Sequence, residues 1–286
     1  MTVTASARDR SAAAQTDPIL SIRGATLAFG DRTLWSGLDL TLRAGEFVAI
    51  LGPNGSGKTS LLRAILGTEP LTAGSIDILG EPVRRGHPLV GYVPQQHLAD
   101  RGTPLRARDF VALGVDGHRF GLPLPNRGRR AKVDQMLATV SATHLADTRI
   151  GDLSGGEQQR LRIGQALIGE SRLLLCDEPL ISLDLSQQRS VSQLIDASRR
   201  DADRAVLMIT HDVNPVLGMV DRVLYLAAGQ ARLGRVEEIF TSEVLSQIYQ
   251  TPVEVIRARG RIVVVGLPDS AYDSHEHAPH LGGDPH

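Results

Sequence analysis

The apolar positions of this chain change period several times, and each change marks an element. Residues 19–29, ILSIRGATLAF, and 38–42, LDLTL, alternate apolar and polar side chains, as strands with one buried face do. EFVAILG, residues 46–52, is apolar almost throughout, the pattern of a strand covered on both faces of a parallel sheet. It runs into a glycine-rich turn, after which Leu61, Leu62, Ile65 and Leu66 fall at helical spacing until Gly67 and Pro70 stop the helix. SIDIL and LVGYV read as further short strands. Between about Thr103 and Thr148 the texture changes. Pro104, Pro123 and Pro125 break up the first part, and RRAKVDQMLATVSATHL then reads as one amphipathic helix, so a helical insertion is expected here. RLLLCD and AVLMIT return to the buried-strand pattern on either side of a helix over SQQRSVSQLIDASRR, and VEVIR and RIVVVG flank ARG as a small hairpin.

This strand–helix–strand alternation predicts an α/β core with a largely parallel sheet. Composition adds exclusions. Lysine plus arginine is 31 against 32 acidic residues, so a dedicated nucleic-acid binder, which needs a positive excess, is not expected. The single cysteine, Cys176, can form neither an internal disulfide nor a cysteine-cluster metal site, which suits a reducing compartment. No window approaches the roughly 18 uninterrupted apolar residues of a membrane span. The opening MTVTASARDRSAAAQTD lacks the apolar core of a signal peptide, and residues 1–18 are expected to be a disordered leader. The closing segment, residues 268–286, is polar, histidine-rich and expected to be disordered as well.

The chemistry begins at GPNGSGKT, Gly52 to Thr59, which matches the phosphate-loop pattern G-x-x-x-x-G-K-[ST] between a strand and a helix. Gly52, Gly55 and Gly57 let the backbone wrap through Pro53, Asn54 and Ser56 so that the loop's N–H groups, proline excepted, turn towards an anion. The following helix, through Ser60, adds the positive end of its dipole. Lys58 can reach terminal phosphates, and the Thr59 hydroxyl can ligate magnesium. LLLCDEP supplies the complement: Asp177 ends an apolar strand where a carboxylate would face that magnesium, and Glu178 could orient or deprotonate a water. An acidic pair at a strand end can also be only a solvated cap. His211 follows the strand AVLMIT, either as a structural residue or as a hydrogen-bond partner of a terminal phosphate. DLSGGEQQR, residues 152–160, could by itself be a turn before a helix.

Taken in order, GPNGSGKT, YVPQ, LSGGE, LLLCDEP, SLD and ITHD resemble the nucleotide-binding domain of ABC transporters, from about Ile19 to Tyr249. The resemblance implies a P-loop NTPase core with a mainly parallel sheet, an antiparallel β subdomain and a helical insertion. The domain would span 19–250, with the helical part at about 100–165 and a β-hairpin extension at 251–267. It implies an ATPase using ATP and Mg2+. Phe29, 29 residues before Lys58, would stack on adenine in place of the more usual tyrosine. Gln95 would join Thr59 and Asp177 in the magnesium shell, with Gln96 an alternative assignment. Glu178 and His211 would act in catalysis with Gln95, and Asp184 would communicate between two nucleotide sites. Leu153, Ser154, Gly155, Gly156 and Glu157 would form the signature that caps ATP held by a second subunit in a head-to-tail homodimer. Glu157 replaces the commoner glutamine.

The resemblance also implies partners: separate transmembrane permease subunits, and thus a location at the cytoplasmic face of the membrane. About 36 residues follow Gln250, too few for the regulatory β-barrel of sugar-importer ATPases. GYVPQQHLADRGTPLRARDFVALG and GLPLPNR resemble the corresponding region of zinc- and manganese-importer ATPases, which implies an extracytoplasmic metal-binding protein as a further partner. His275, His277, His280 and His286 among acidic residues could bind zinc or manganese weakly or be incidental to a solvated tail. The expected function is therefore ATP-driven transport of zinc or manganese, as import. An ABC ATPase for another substrate, or one acting on a soluble partner, is the alternative.

Overall fold

The computed structural model describes residues 17–95, 103–116 and 127–266. The principal sheet has six strands in the order β10-β9-β3-β8-β7-β6. In chain order these are β3 (Phe47–Leu51), β6 (Val90–Val93), β7 (Leu173–Asp177), β8 (Ala205–Ile209), β9 (Arg222–Ala227) and β10 (Gln230–Gly234). All neighbours are parallel except β9 and β10. Every residue of β3, β7 and β8 is buried, because the sheet is covered on both faces. Successive side chains go to opposite sides: Phe47, Ala49, Leu174, Cys176, Val206 and Met208 to one core, and Val48, Ile50, Leu173, Leu175, Leu207 and Ile209 to another.

The second of these cores is closed by an antiparallel sheet of order β2-β1-β4-β5, built from β1 (Leu20–Phe29), β2 (Arg32–Leu42), β4 (Ala73–Ile78) and β5 (Glu81–Pro82). Helix α1 (Lys58–Ile65) lies between the sheets, burying Leu61, Leu62 and Ile65 as its spacing predicts. The first core is covered by α4 (Gly155–Leu167), α5 (Leu185–Asp201), α6 (Val236–Ile239) and α7 (Ser242–Tyr249). The P-loop NTPase architecture, with a mixed, mostly parallel sheet, an antiparallel subdomain and inserted helices, is thus the one expected.

The insertion packs α2 (Ala107–Asp116) and α3 (Arg127–Thr139) on α4 around a third core containing Ala107, Val111, Val133, Leu137 and Leu161. Helix α4 reaches both compartments, sending Leu161 to the third core and Ile163 and Leu167 to the first. At Gly114 a β-carbon would stand 2.0 Å from the Gln165 carbonyl oxygen, so α2 and α4 meet backbone to backbone. The single helix expected from Arg129 to Leu145 is divided. It ends at Thr139, Ser141 adopts φ 54°, and a 3-10 turn follows at Thr143–Leu145. The turn lets Val140, Ala142 and Leu145 join Leu137 in one core, which a straight helix would spread over more than one face. Strands β11 (Val253–Ala258) and β12 (Arg261–Gly266) form the expected hairpin.

Candidate functional site

The strand order sets the site. Because β3, β8, β7 and β6 are adjacent and parallel, their carboxyl ends deliver the phosphate loop, His211, Asp177 with Glu178, and Gln95 to one edge of the sheet. This is where open α/β sheets bind ligands. The loop turns directly from β3 into α1. Gly52 adopts φ 142° with its Cα against the backbone of β9, where a β-carbon would lie 1.9 Å from the Leu226 oxygen. Gly57, the residue before α1, adopts φ 92° over the buried Trp35 ring, whose Nε1 is 2.8 Å from where a β-carbon would stand. Both positions admit only glycine for that double reason.

Lys58 is buried and its ammonium donates to the carbonyls of Gly52 (2.8 Å) and Pro53 (2.9 Å). Burial lowers its pKa, against the pull of Glu178 and Asp177. The Thr59 hydroxyl is 3.5 Å from Asp177 Oδ1. Asp177 is buried, and its pKa is raised first by burial and then by the neighbouring Glu178. A carboxylate whose charge is disfavoured by burial and a like-charged neighbour is one that a bound cation would stabilise. One hydroxyl and one carboxylate beside a phosphate cradle also match what magnesium takes from protein, the remaining ligands being phosphate oxygens and water.

Glu178 has φ 51°, outside the ordinary range for a non-glycine residue. Its N–H donates to the Ile209 carbonyl of the next strand (3.1 Å), which fixes this turn at the sheet edge. The carboxylate is held from two sides: Gln95 Nε2 donates to Oε2 at 3.0 Å, and His211 Nε2 lies 2.5 Å from Oε1. Gln95, Glu178 and His211 therefore form one contacting group across three strand ends. A cleft of about 610 Å³ joins that group to Asn54, Lys58, Thr59 and Ser60. An adjoining hollow of about 310 Å³ runs past Pro53 and Ser56. There Ser56 Oγ is buried and has no hydrogen-bond partner among the described residues, a donor suited to an anion.

Two residues that the motifs did not single out belong here. Arg32, at the start of β2, lines both spaces and donates to the Gly55 carbonyl at 3.0 Å. Trp35 lies fully buried beneath the loop with its Nε1 3.4 Å from the Gly57 carbonyl. Phe29 is paired with Arg32 across a tight turn and is 49% exposed, but it does not line the cleft.

None of Leu153, Ser154, Gly155, Gly156 and Glu157 lines the cleft either. Leu153 is buried in the helical insertion, and Ser154 caps α4. The capping box is reciprocal. Ser154 Oγ accepts from the Glu157 N–H (3.4 Å), and the Glu157 carboxylate accepts from the Ser154 N–H (2.8 Å) and hydroxyl (2.7 Å). Those bonds hold the Glu157 pKa below its ordinary value. Asp184 caps α5 by its own side chain alone, accepting from the Gln187 N–H and the Ser186 hydroxyl, both at 2.8 Å. The two helix starts adjoin, since a β-carbon on Gly156 would be 2.8 Å from Gln187 Cδ. Sequence reasoning missed Gln187, which has no local signature. Gln96, His275, His277, His280 and His286 lie outside the described residues. Among the described residues no cluster of three or more His, Cys, Asp or Glu suits a metal ion, and no helix is long and apolar enough to cross a membrane.

Comparison with known proteins gives this geometry its family. The sequence model of the ABC transporter family matches residues 35–181. The zinc import ATP-binding protein ZnuC of Roseobacter denitrificans is 38% identical over 208 residues, covering 73% of this chain and 75% of that one. The manganese transport system ATP-binding protein MntB of Halalkalibacterium halodurans is 28% identical over 251 residues, covering 88% of this chain and all of that one. Among solved structures, an ABC transporter in an inward-facing conformation, assigned to the metal-chelate type, aligns with TM-score 0.75. Its identity is 26%, over 89% of this chain and 100% of that one. The chain belongs to the ABC transporter family, as an ATP-binding and ATP-hydrolysing subunit homologous to several metal-import ATPases.

Proposed function

We propose that the chain hydrolyses ATP at a site shared between two copies and thereby drives import of zinc or manganese through separate membrane subunits. The observation that carries the catalytic part is the Glu178 carboxylate, held between Gln95 and His211 at the mouth of the cleft that also contains Lys58 and Thr59. The loop from Gly52 to Thr59 binds the phosphates by backbone N–H groups, and Lys58 turns from its carbonyl partners to the terminal phosphate. Thr59, Gln95 and Asp177 would hold Mg2+, which when bound neutralises charge on the phosphate oxygens. Glu178 orients the attacking water and accepts its proton. His211 holds Glu178 on its second oxygen and faces the terminal phosphate. Ser154, Gly155 and Gly156 of one copy cap the phosphate held by the other, and Asp184 links the two sites. No signature residue of its own chain lines the cleft, which supports completion of the site by a second copy.

Glu178→Gln keeps the hydrogen-bonding shape and removes the base. It is expected to bind ATP, accumulate as an ATP-bound dimer and lose turnover. Wild-type hydrolysis by this variant would overturn the assignment.

The metal assignment rests on the named cargo of the two relatives, and it brings with it the permease, an extracytoplasmic binding protein and a seat at the cytoplasmic face of the membrane. A deletion strain is expected to lose accumulation of zinc or manganese. Unchanged uptake of both would refute it.

A further inference from the structure

The loop that carries His211 is tied to the C-terminal hairpin by one side chain. Asn214, three residues on, makes a two-point contact with the backbone of β12: its Nδ2 donates to the Ile262 carbonyl (2.9 Å), and its Oδ1 accepts from the Ile262 N–H (2.8 Å). In the hairpin ladder Ile262 stands opposite Arg257, and both of its outward backbone groups are thus given to Asn214. The amide is aimed from the other side. Asp212 Oδ1 accepts from the backbone N–H of Asn214 (2.9 Å) and from its Nδ2 (2.7 Å). Thr210 closes the turn, its hydroxyl donating to the Asp212 carbonyl (2.8 Å) and accepting from the Asp212 N–H (3.3 Å). His211 sits inside this bonded loop, with Nε2 2.5 Å from Glu178 Oε1.

The hairpin has its own anchors away from the site. The N–H of Val253 donates to Ser246 Oγ and that of Val255 to Ser242 Oγ (2.9 Å each), which fixes β11 to α7. Val253 and Ile262 are buried in the same core as Val213 and Val216, the residues that flank Asn214. A continuous path of packed and hydrogen-bonded groups therefore runs from the hairpin to the loop carrying His211, whose ring meets the carboxylate. A side-chain amide that reproduces the pairing of a strand neighbour fixes position and plane together, as a single hydrogen bond would not.

We propose that Asn214 is a positioning residue for hydrolysis: it clamps β12 to the loop carrying His211, so that the seating of the C-terminal hairpin sets how His211 meets Glu178. The proposal rests on the catalytic roles given to His211 and Glu178 above. Asn214 touches neither of those side chains in this scheme, and its effect passes through the loop.

The test uses the full chain, with His211→Ala as reference. Asn214→Ala is expected to speed hydrogen exchange at the Ile262 amide and to leave ATP affinity within about twofold. It is expected to lower kcat about tenfold, inside the ~10²-fold that a 1 Å misplacement can bring. Asn214→Asp retains volume and the acceptor for the Ile262 N–H while losing the donor, so it remains informative if the alanine variant does not fold. It sets a carboxylate oxygen against Asp212 Oδ1 and the Ile262 carbonyl, to which the amide donated, so its kcat should fall below that of wild type. Faster exchange at Ile262 with wild-type kcat would overturn the proposal. So would a fall in kcat matched by equal loss of ATP binding, which would mark Asn214 as a general support. Wild-type turnover by His211→Ala would instead sink the catalytic reading beneath it, so the two failures are distinguishable.

Discussion

Replacing Asp177 by asparagine should make the nucleotide-free protein more stable and at the same time disable it. Asp177 is 2% exposed at the end of β7, with Glu178 next to it, and its pKa is raised by burial and by that neighbour. A carboxylate whose folded pKa lies above its unfolded value holds its proton more tightly when folded. Stability is therefore lost as pH rises from the unfolded value through the raised one, and above that window the group is a standing penalty. Thr59, Arg63 and Lys58 offset only part of it. Asparagine keeps the shape without the charge, and the gain should be of the order of 1–3 kcal/mol, the scale for an imperfectly compensated buried polar group. At about 2–4 °C per kcal/mol this is a rise in Tm of roughly 2–12 °C. Thermal melts at neutral pH, with and without ATP and Mg2+, measure both halves. Wild type should gain stability from ATP and more with Mg2+, by about 2.7 kcal/mol at a hundredfold excess over Kd. Asp177→Asn should start higher and lose the increment that Mg2+ adds. A melting temperature at or below wild type without nucleotide would refute the reasoning, as would an undiminished Mg2+ increment.

Two further substitutions test the packing and the cap. Gly114→Ala puts a methyl group 2.0 Å from the Gln165 carbonyl and must push α2 off α4, so denaturant titration should show a loss of about 1–3 kcal/mol. Glu157→Ala removes the acceptor for the Ser154 N–H and hydroxyl and should destabilise by about 1 kcal/mol. Because the Glu157 pKa is depressed, that contribution is present above the ordinary carboxylate value and disappears as pH falls through the folded one, so the two melting curves should converge in acid.

How much could be read in the chain beforehand differs from part to part, for physical reasons. The phosphate loop and its partner carboxylates were legible because their chemistry is local: GPNGSGKT dictates its own turn, and LLLCD can only be a strand buried on both faces. The β9–β10 hairpin was not. Its two-residue turn, Ala228-Gly229, has φ 49° and 77°, both positive as such turns require, but alanine conceals what asparagine or glycine would signal. The break of α3 at Ser141 depends on which core Val140 and Leu145 must reach, and periodicity does not specify that. Arg32, Trp35, Gln187 and Asn214 carry no motif. They matter because of the register of β1 with β2, the adjacency of two helix starts and the seating of a hairpin, all of which are tertiary facts. Phe29, which the resemblance assigns to adenine, stands half exposed at the turn opposite Arg32.

The central claim is that one chain holds the phosphate and another completes the site. Lys58→Ala disables the loop and Ser154→Arg disables the signature, so each variant alone should be inactive, with Ser154→Arg still binding ATP. Single-turnover hydrolysis by an equal mixture tests the claim most directly. A mixed dimer pairs the intact loop of one chain with the intact signature of the other, and activity should return to as much as roughly a quarter of wild type, given two-fold pairing. If loop and signature acted within one chain, no partner could supply what is missing, and a mixture as silent as its components would contradict the account.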